Sequence, residues 1–213
     1  MLTVWGRATS SNVQKVMWTV GELGLEHRRI DCGGHFGGLD KPEYRALNPN
    51  GLVPTVEFGD GLVMFESNAI MRHLTRTAPS RRLWPAGGHA EPLADMWAEW
   101  AQLNVCRHLT ALFWAVVRTA PSKRNPAQIA GHFAAALDGF AIAETQLGKH
   151  AYVAGDALTI ADIVFAHTLY RYYTMEVERP PMPNIDRYYK AMTERPAYAE
   201  HVMIDYETLR VHD

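Results

Sequence analysis

Three short stretches carry side chains that can do chemistry. The first is TSSN, Thr9 to Asn12, placed directly before the amphipathic run Val13, Val16, Met17 and Val20. Any of these four residues can accept a hydrogen bond from the open N–H groups of a helix start. One cap suffices, so the remaining hydroxyls and amide are available to a ligand. The second is FESNAI, Phe65 to Ile70. Ser67 either caps the helix that follows, or offers its hydroxyl and the helix N–H groups to a ligand carboxylate. Glu66 either balances the helix dipole or accepts an ammonium. A carboxylate acceptor beside an ammonium acceptor is what an amino-acid head group requires. The third is GLVPTVEF, Gly51 to Phe58. Pro54 heads a strand, where a missing N–H is tolerated. The Val53–Pro54 bond is either an ordinary trans strand entry or a cis bond, which costs X-Pro only ~0.5–1 kcal/mol. In the cis form Val53 would turn its N–H and C=O outward, to pair with an extended peptide as a sheet edge does.

A fourth stretch, ALTIADIVFAH, reads as structure rather than chemistry. Thr159 and Asp162 have N-cap and N3 spacing, and Leu158 and Ile163 stand at N′ and N4. That is a capping box, with Asp in the usual Glu/Gln place, plus a hydrophobic staple. Asp162 is therefore expected to be a folding residue.

The elements that must position these groups fall into two sets. Leu2–Trp5 reads as a short buried strand, followed by the helix after TSSN and a second strand over His27 to Asp31. CGGHFGG, Cys32 to Gly38, is a Gly-rich loop, and Asp40 with Pro42 opens a short helix. Thr55–Phe58 and Leu62–Met64 flank Gly59-Asp60-Gly61 as a hairpin, and a helix carrying Ile70, Met71 and Leu74 follows. The order βαβ then ββα predicts a small mixed α/β sheet with helices on its faces. APSRRLWPAGGHAEP, Ala78 to Pro92, is rich in Pro and Gly and marks a boundary. Beyond it the spacing is helical throughout. One helix carries Leu93 to Val117, another Ile129 to Leu147 with Gly148 as its stop, and a third runs from Thr159 to about Met175. After Pro180, Pro181 and Pro183, Asn184 is expected to cap a last one. The expected organisation is an α/β unit at 1–78, a linker at 79–91 and an all-α unit at 92–213.

Composition narrows the function. The 213 residues are 47% hydrophobic and 21% charged with a net charge of -2, an ordinary globular composition, and the length suffices for one large domain or two small ones with a buried core. No Lys/Arg run is present, which argues against nucleic acid and anionic membranes as partners. Cys32 and Cys106 have no zinc-type spacing, so no metal is expected and a reduced, intracellular setting is. The start MLTVWGRATSSN lacks the pattern of a signal peptide, and no apolar run approaches ~20 residues.

Taken in order, WGRATSSNVQKVMW, LNPNGLVPTV, FESNAIMRHL and YVAGDALTIADIVFAH resemble the motifs of the cytosolic glutathione transferases across essentially the whole chain. The resemblance implies a thioredoxin-like N-terminal domain and an all-α C-terminal domain. It is nearest the bacterial theta-, delta- and nu-type members, which use Ser or Thr at the first β–α turn. Trp5 and Gly6 stand where other members place a catalytic Tyr, and no Cys stands near Ser10, where thiol-exchanging members have one.

The resemblance implies glutathione as co-substrate and a hydrophobic electrophile as its partner. Matching SSNVQKV to the delta-type pattern puts Ser10 on the catalytic position, with Asn12 sharing the work and Ser11 as the competing hydroxyl; Ser11 or Asn12 would then cap the helix. Such a donor holds the thiolate: lowering a thiol pKa from ~8.5 by about 2 units needs roughly 2.7 kcal/mol. Val53, followed by Pro54, would pair with the cysteinyl backbone of glutathione, and Glu66 with Ser67 would hold its γ-glutamyl head group. Relatives carry Lys, Gln or His shortly before Val53. Gly51 and Leu52 stand here instead, which leaves His35, Lys41 and Asn50 as candidates for the glycine carboxylate. Trp100, Leu103, Cys106, Arg107, Thr110 and Trp114 would face the second substrate between the domains, with Arg107 either drawing in an anion or forming a surface ion pair. The family also implies a cytoplasmic homodimer with conjugating or peroxidase activity. Two alternatives stand beside it. One is a non-catalytic glutathione-transferase-like binding or regulatory module. The other is an isomerase of the maleylacetoacetate type, whose turn reads Ser-Ser-Cys where this chain has Asn12.

Overall fold

The computed structural model describes residues 1–80, 82–85 and 87–213. β1 (Leu2–Trp5) is apolar, and its Val4 is wholly buried. Gly6 ends it with a φ of 147°; a Cβ there would collide with Val13 Cγ2 and stand 3.1 Å from Val53 Cβ. Only glycine lets the chain turn so closely beneath the next helix. That helix, α1 (Ser11–Leu23), buries Val13, Val16, Met17 and Val20 in the core of the sheet and closes on a left-handed Gly24. β2 (His27–Ile30), a 3-10 turn at Gly34–Phe36, α2 (Pro42–Leu47), β3 (Thr55–Glu57), β4 (Val63–Phe65) and α3 (Ser67–Thr77) complete this part.

The strand order is β2-β1-β3-β4. β1 runs parallel to β2, with Leu2 opposite His27, and antiparallel to β3, with Val4 opposite Val56. β3 and β4 form the hairpin, with Val56 opposite Met64. This is the mixed sheet that the βαβ-ββα order predicts, and the thioredoxin-like arrangement that the resemblance implies.

The second part is helical: α4 (Ala90–Ala101), α5 (Arg107–Val116), α6 (Pro126–Leu147), α7 (Ile160–Ala166), α8 (Leu169–Thr174), α9 (Pro183–Thr193) and α10 (Pro196–His201). A π turn at Gln102–Cys106 joins α4 to α5. α6 crosses that turn at Gly139, where a Cβ would come within 2.7 Å of Val105 Cγ2. Asn125 starts α6 by accepting from the N–H groups of Ala127 and Gln128. Between the two parts, Leu83 and Trp84 are buried in the helical core, and Ile160 N donates to Leu83 O at 3.1 Å. Arg81 and Ala86, in the segment read as a linker, lie outside the described residues. No helix among the described residues is long and apolar enough to cross a membrane.

The capping box is present: Thr159 holds the N-cap of α7 and Asp162 returns to the Thr159 N–H. Four local expectations need correction. Pro42 takes the first helical position of α2, so Lys41, not Asp40, is the N-cap residue. The helix expected from Thr159 to Met175 is broken after Ala166. There the Cys106 thiol and the His167 ring bond Val164 O, and Thr168 Oγ1 donates to Phe165 O. These side chains compete for carbonyls that would otherwise continue the helix. Asn184 does not cap α9; its N and Nδ2 both donate to Glu144 Oε1, at 3.0 and 2.8 Å, and tie α9 to α6. Gly148 closes α6 in a right-handed conformation, with no left-handed stop.

Of the polar links that set the parts against each other, two start from α1. Glu22 on α1 accepts from Arg195 Nε and Nη2 at 2.7 and 2.6 Å and from Trp18 Nε1 at 2.9 Å. Lys15, buried on α1, donates to Asn68 Oδ1 at 2.8 Å and Gln102 Oε1 at 2.9 Å, joining α1 to α3 and the π turn. The cleft beside α1 is thereby held between two fixed walls.

Candidate functional site

The β1–α1 turn forms one wall. Ser10 occupies the N-cap position of α1 in an extended conformation, φ −84° and ψ 121°, and its carbonyl accepts from Gln14 N at 2.9 Å. Its side chain makes no capping bond. The helix begins at Ser11, which corrects the expectation that Ser11 or Asn12 would cap it. Ser10 and Ser11 are both half-buried and both line the cleft, so the fold brings forward two hydroxyls rather than one. Thr9 lines it too, and its buried Oγ1 has no partner among the described residues. Three hydroxyls thus stand at the positive end of a 13-residue helix, where donors favour an anion.

Asn12 joins this turn to α3, its Oδ1 accepting from Ser67 Oγ at 3.4 Å. Ser67 is buried, and Glu66 before it is exposed. Glu66 is the one non-glycine residue with positive φ among those described, at φ 70° and ψ 105°. Holding a Cβ-bearing residue there costs on the order of 1–3 kcal/mol, and such strain gathers at ligand sites. Lys15 lies just behind, against Asn68. Burial drives its pKa down to about 8, while Cys106, Glu66 and Glu99 pull it back up and Arg72 opposes them.

Val53 and Leu52 line the cleft opposite the turn, and the Val53–Pro54 bond is cis. Their loop is pinned from beneath: Tyr44 OH and Asn48 Nδ2 donate to Leu52 O at 2.6 and 2.9 Å. The far wall is helical. Thr110, Phe113, Trp114 and Arg118 come from α5 and the residues just beyond it, Arg171 from α8, and Leu209 from the C-terminal segment. The Arg118 guanidinium lies 3.8 Å over the Trp114 ring, and that of Arg171 lies 4.3 Å over Phe113.

The structure therefore brings together Ser10, Ser11, Asn12, Val53, Thr110 and Trp114, with Glu66 and Ser67 adjoining through Asn12 and Pro54 following Val53. Other expected residues lie elsewhere. His35 is exposed with its ring 3.9 Å from Phe36, and Asn50 is committed to Asn48 Oδ1 through both its amide and backbone N–H groups. Lys41 lines a separate hollow with Trp5 and Tyr44. Trp5 itself donates to Glu57 Oε1 at 2.6 Å, away from the cleft.

Trp100 packs against Trp97 and Phe165, and Cys106 is buried, with burial raising its thiol pKa to about 12. Leu103 and Arg107 are exposed and do not line the cleft. For Trp100 and Leu103 the π turn is the reason: its extra residue rotates the rod, so they no longer share a face with Thr110 and Trp114. Arg107 follows the turn as the first residue of α5, and helical spacing does not explain its place outside the cleft. The sequence reading did not assign Arg7, Phe113, Arg118, Arg171 or Leu209 to the site. Arg118 was within reach, since it follows Trp114 by four residues on a helical face. Arg171 had no local signal.

Fold and cleft together define a class: a two-part protein whose thioredoxin-like sheet presents its first β–α turn to an all-helical partner. Residues 9–77 match the family model described as glutathione S-transferase, N-terminal domain, and residues 107–196 match glutathione S-transferase, C-terminal domain. The chain belongs to the glutathione S-transferase family. It is 35% identical to glutathione S-transferase GstB of Escherichia coli over 96% of this chain and 99% of that one. It is 30% identical to glutathione S-transferase 3 of Zea mays, over 94% and 93%. Among solved structures it is similar to the theta class glutathione S-transferase of Xanthomonas axonopodis pv. citri with glutathione bound. There the TM-score is 0.91 at 38% identity, covering 96% of this chain and 98% of that one.

Proposed function

We propose that this chain is a glutathione transferase. It binds glutathione along the cleft, holds the sulfur as thiolate at the β1–α1 turn, and adds it to an electrophilic small molecule. The observation that supports this reading is that the hydroxyl-bearing Thr9, Ser10 and Ser11 line the cleft at the α1 N-terminus, with no capping bond drawn from Ser10. In the proposed complex Ser10, with Asn12, donates to the sulfur, and Ser11 is its neighbour and competitor. Val53 pairs with the cysteinyl backbone, and Glu66 with Ser67 receives the γ-glutamyl head group. Thr110 and Trp114 meet the electrophile, and bringing the two reactants together supplies much of the acceleration.

The same reading takes residues 1–78 as the glutathione-binding unit, 79–91 as the linker and 92–213 as the helical unit. It makes the enzyme a cytoplasmic homodimer. Exposed Val63 and Phe65 on edge strand β4 and exposed Leu93 and Met96 on α4 are apolar residues that such a dimer would cover. Retention on immobilised glutathione, followed by turnover of an activated aryl halide, tests the function. A protein that is not retained and does not accelerate conjugation is not a glutathione transferase. Retention without turnover leaves a binding module.

A further inference from the structure

The cleft carries more positive charge than a thiolate alone requires. Arg7, Arg118 and Arg171 all line it, and no Asp or Glu among the described residues does. Among the described residues their guanidinium groups have one polar partner between them, the Thr9 carbonyl, to which Arg171 Nη2 donates at 2.7 Å. Arg7 Nε is buried without a partner among the described residues. Arg118 and Arg171 are held instead by the faces of Trp114 and Phe113. The groups also act on one another. Burial and then Arg118 lower the Arg7 pKa. Burial lowers that of Arg171 to about 10, with Arg7 and Arg118 adding to the effect and Tyr206 opposing it. Cations withdrawn from water are ordinarily paired with an acid, and three half-buried ones lining a cleft with no acid among its described residues leave the place of an anion open. Guanidinium suits a carboxylate best, through two parallel hydrogen bonds. Beside them Leu52, Phe113, Trp114 and Leu209 supply an apolar surface for a carbon skeleton.

We infer that the second substrate is a carboxylate-bearing electrophile, whose carboxylate is received by Arg7, Arg118 and Arg171 while its reactive carbon faces the turn at Ser10. This rests on the transferase reading above and narrows its substrate class. With an aryl chloride, the thiolate pair forms the C–S bond at the chlorine-bearing carbon. The C–Cl bond breaks and chloride leaves with its electron pair, the thiol proton having already gone to solvent.

The test uses the full-length protein with glutathione and two substrates, a chlorodinitrobenzoate and its methyl ester. Each kcat/KM is divided by the rate of the same reaction with glutathione in the absence of enzyme, which removes intrinsic reactivity. The wild type is expected to prefer the carboxylate at least tenfold on this scale. Arg118→Gln, and independently Arg7→Gln, should each lower that preference about tenfold. Because the ratio is taken within one enzyme, partial loss of folded protein does not alter it. Equal corrected rates for acid and ester in the wild type overturn the inference and leave the transferase reading intact. So does an unchanged ratio in both variants with a raised KM for glutathione, which would assign the arginines to glutathione itself. Turnover of neither substrate, without glutathione binding, overturns both.

Discussion

Replacing Asp162 with Asn should destabilise the fold without touching the cleft, and the size of the effect follows from four hydrogen bonds. The carboxyl is fully buried. Its Oδ1 accepts from Val153 N and Tyr188 OH, each at 2.9 Å, and its Oδ2 from Thr159 N at 2.8 Å and Thr159 Oγ1 at 3.2 Å. An Asn side chain has one oxygen. Whichever way the amide turns, its NH2 faces one backbone N–H and one hydroxyl, and the N–H cannot reorient. A bond to a charged acceptor contributes about 1.5–3 kcal/mol, and an orphaned buried donor costs about 1–3 kcal/mol. A loss of about 3 kcal/mol at pH 7.5 is expected, or a fall in Tm of about 6–12 °C for a chain of this size.

The pH dependence gives the argument a second edge. Burial raises the pKa of Asp162 from 3.8 to about 6, against the pull of its four donors. A carboxyl whose folded pKa is raised contributes stability that is fully present below its unfolded value and lost as pH rises through the folded one. Asn cannot titrate. The gap between wild type and Asp162→Asn should therefore widen by about 1.4 kcal/mol between pH 7.5 and pH 5. Urea denaturation at the two pH values reads both quantities. A loss below ~1 kcal/mol at pH 7.5 would show that the network is not what holds α7, and a gap that narrows in acid would refute the burial argument.

Three further substitutions probe the frame of the cleft. Glu22→Gln should cost about 2 kcal/mol in urea denaturation by loosening the link between α1 and Arg195. Burial alone would raise the Glu22 pKa, but Arg195 and Trp18 hold it below the usual value. Its contribution is present above the ordinary carboxylate pKa and lost as pH falls through the folded one, so the deficit should shrink in acid. Gly6→Ala should lower stability by about 2 kcal/mol or more in a thermal melt, because the added methyl meets Val13 at a φ of 147°. Glu66→Gly should act in opposite directions on two readouts. Relief of the strained φ of 70° should raise stability by about 1 kcal/mol, while loss of the carboxylate should raise the KM for glutathione.

The succession of strands and helices in the sheet and the capping box at Thr159 were legible because each rests on local spacing. Alternating or helical apolar positions name the elements, and Thr159 and Asp162 stand three residues apart on one turn. The helix break after Ala166 was not legible, since beside the local bonds of His167 and Thr168 it involves Cys106 reaching Val164 O from 58 residues away. Asn184 misled for the same reason: its partner, Glu144, lies 40 residues back. The turn wall of the cleft was readable because Ser10, Ser11 and Asn12 are neighbours in sequence. The helical wall was readable only where the helix is regular. Thr110 and Trp114 fall on one face, but the π turn displaces Trp100 and Leu103 from it. Arg7 and Arg171 meet only through the fold, across 164 residues of chain.

The most direct test of the central claim is the acid–base titration of glutathione bound to the protein, followed by thiolate absorbance. The wild type should hold the thiol pKa about 2 units below its free value of ~8.5. Ser10→Ala should return it most of the way, and Ser11→Ala should not. A bound thiol that titrates as it does free in solution would contradict the proposal that this turn generates the thiolate. So would a lowered pKa that neither substitution moves.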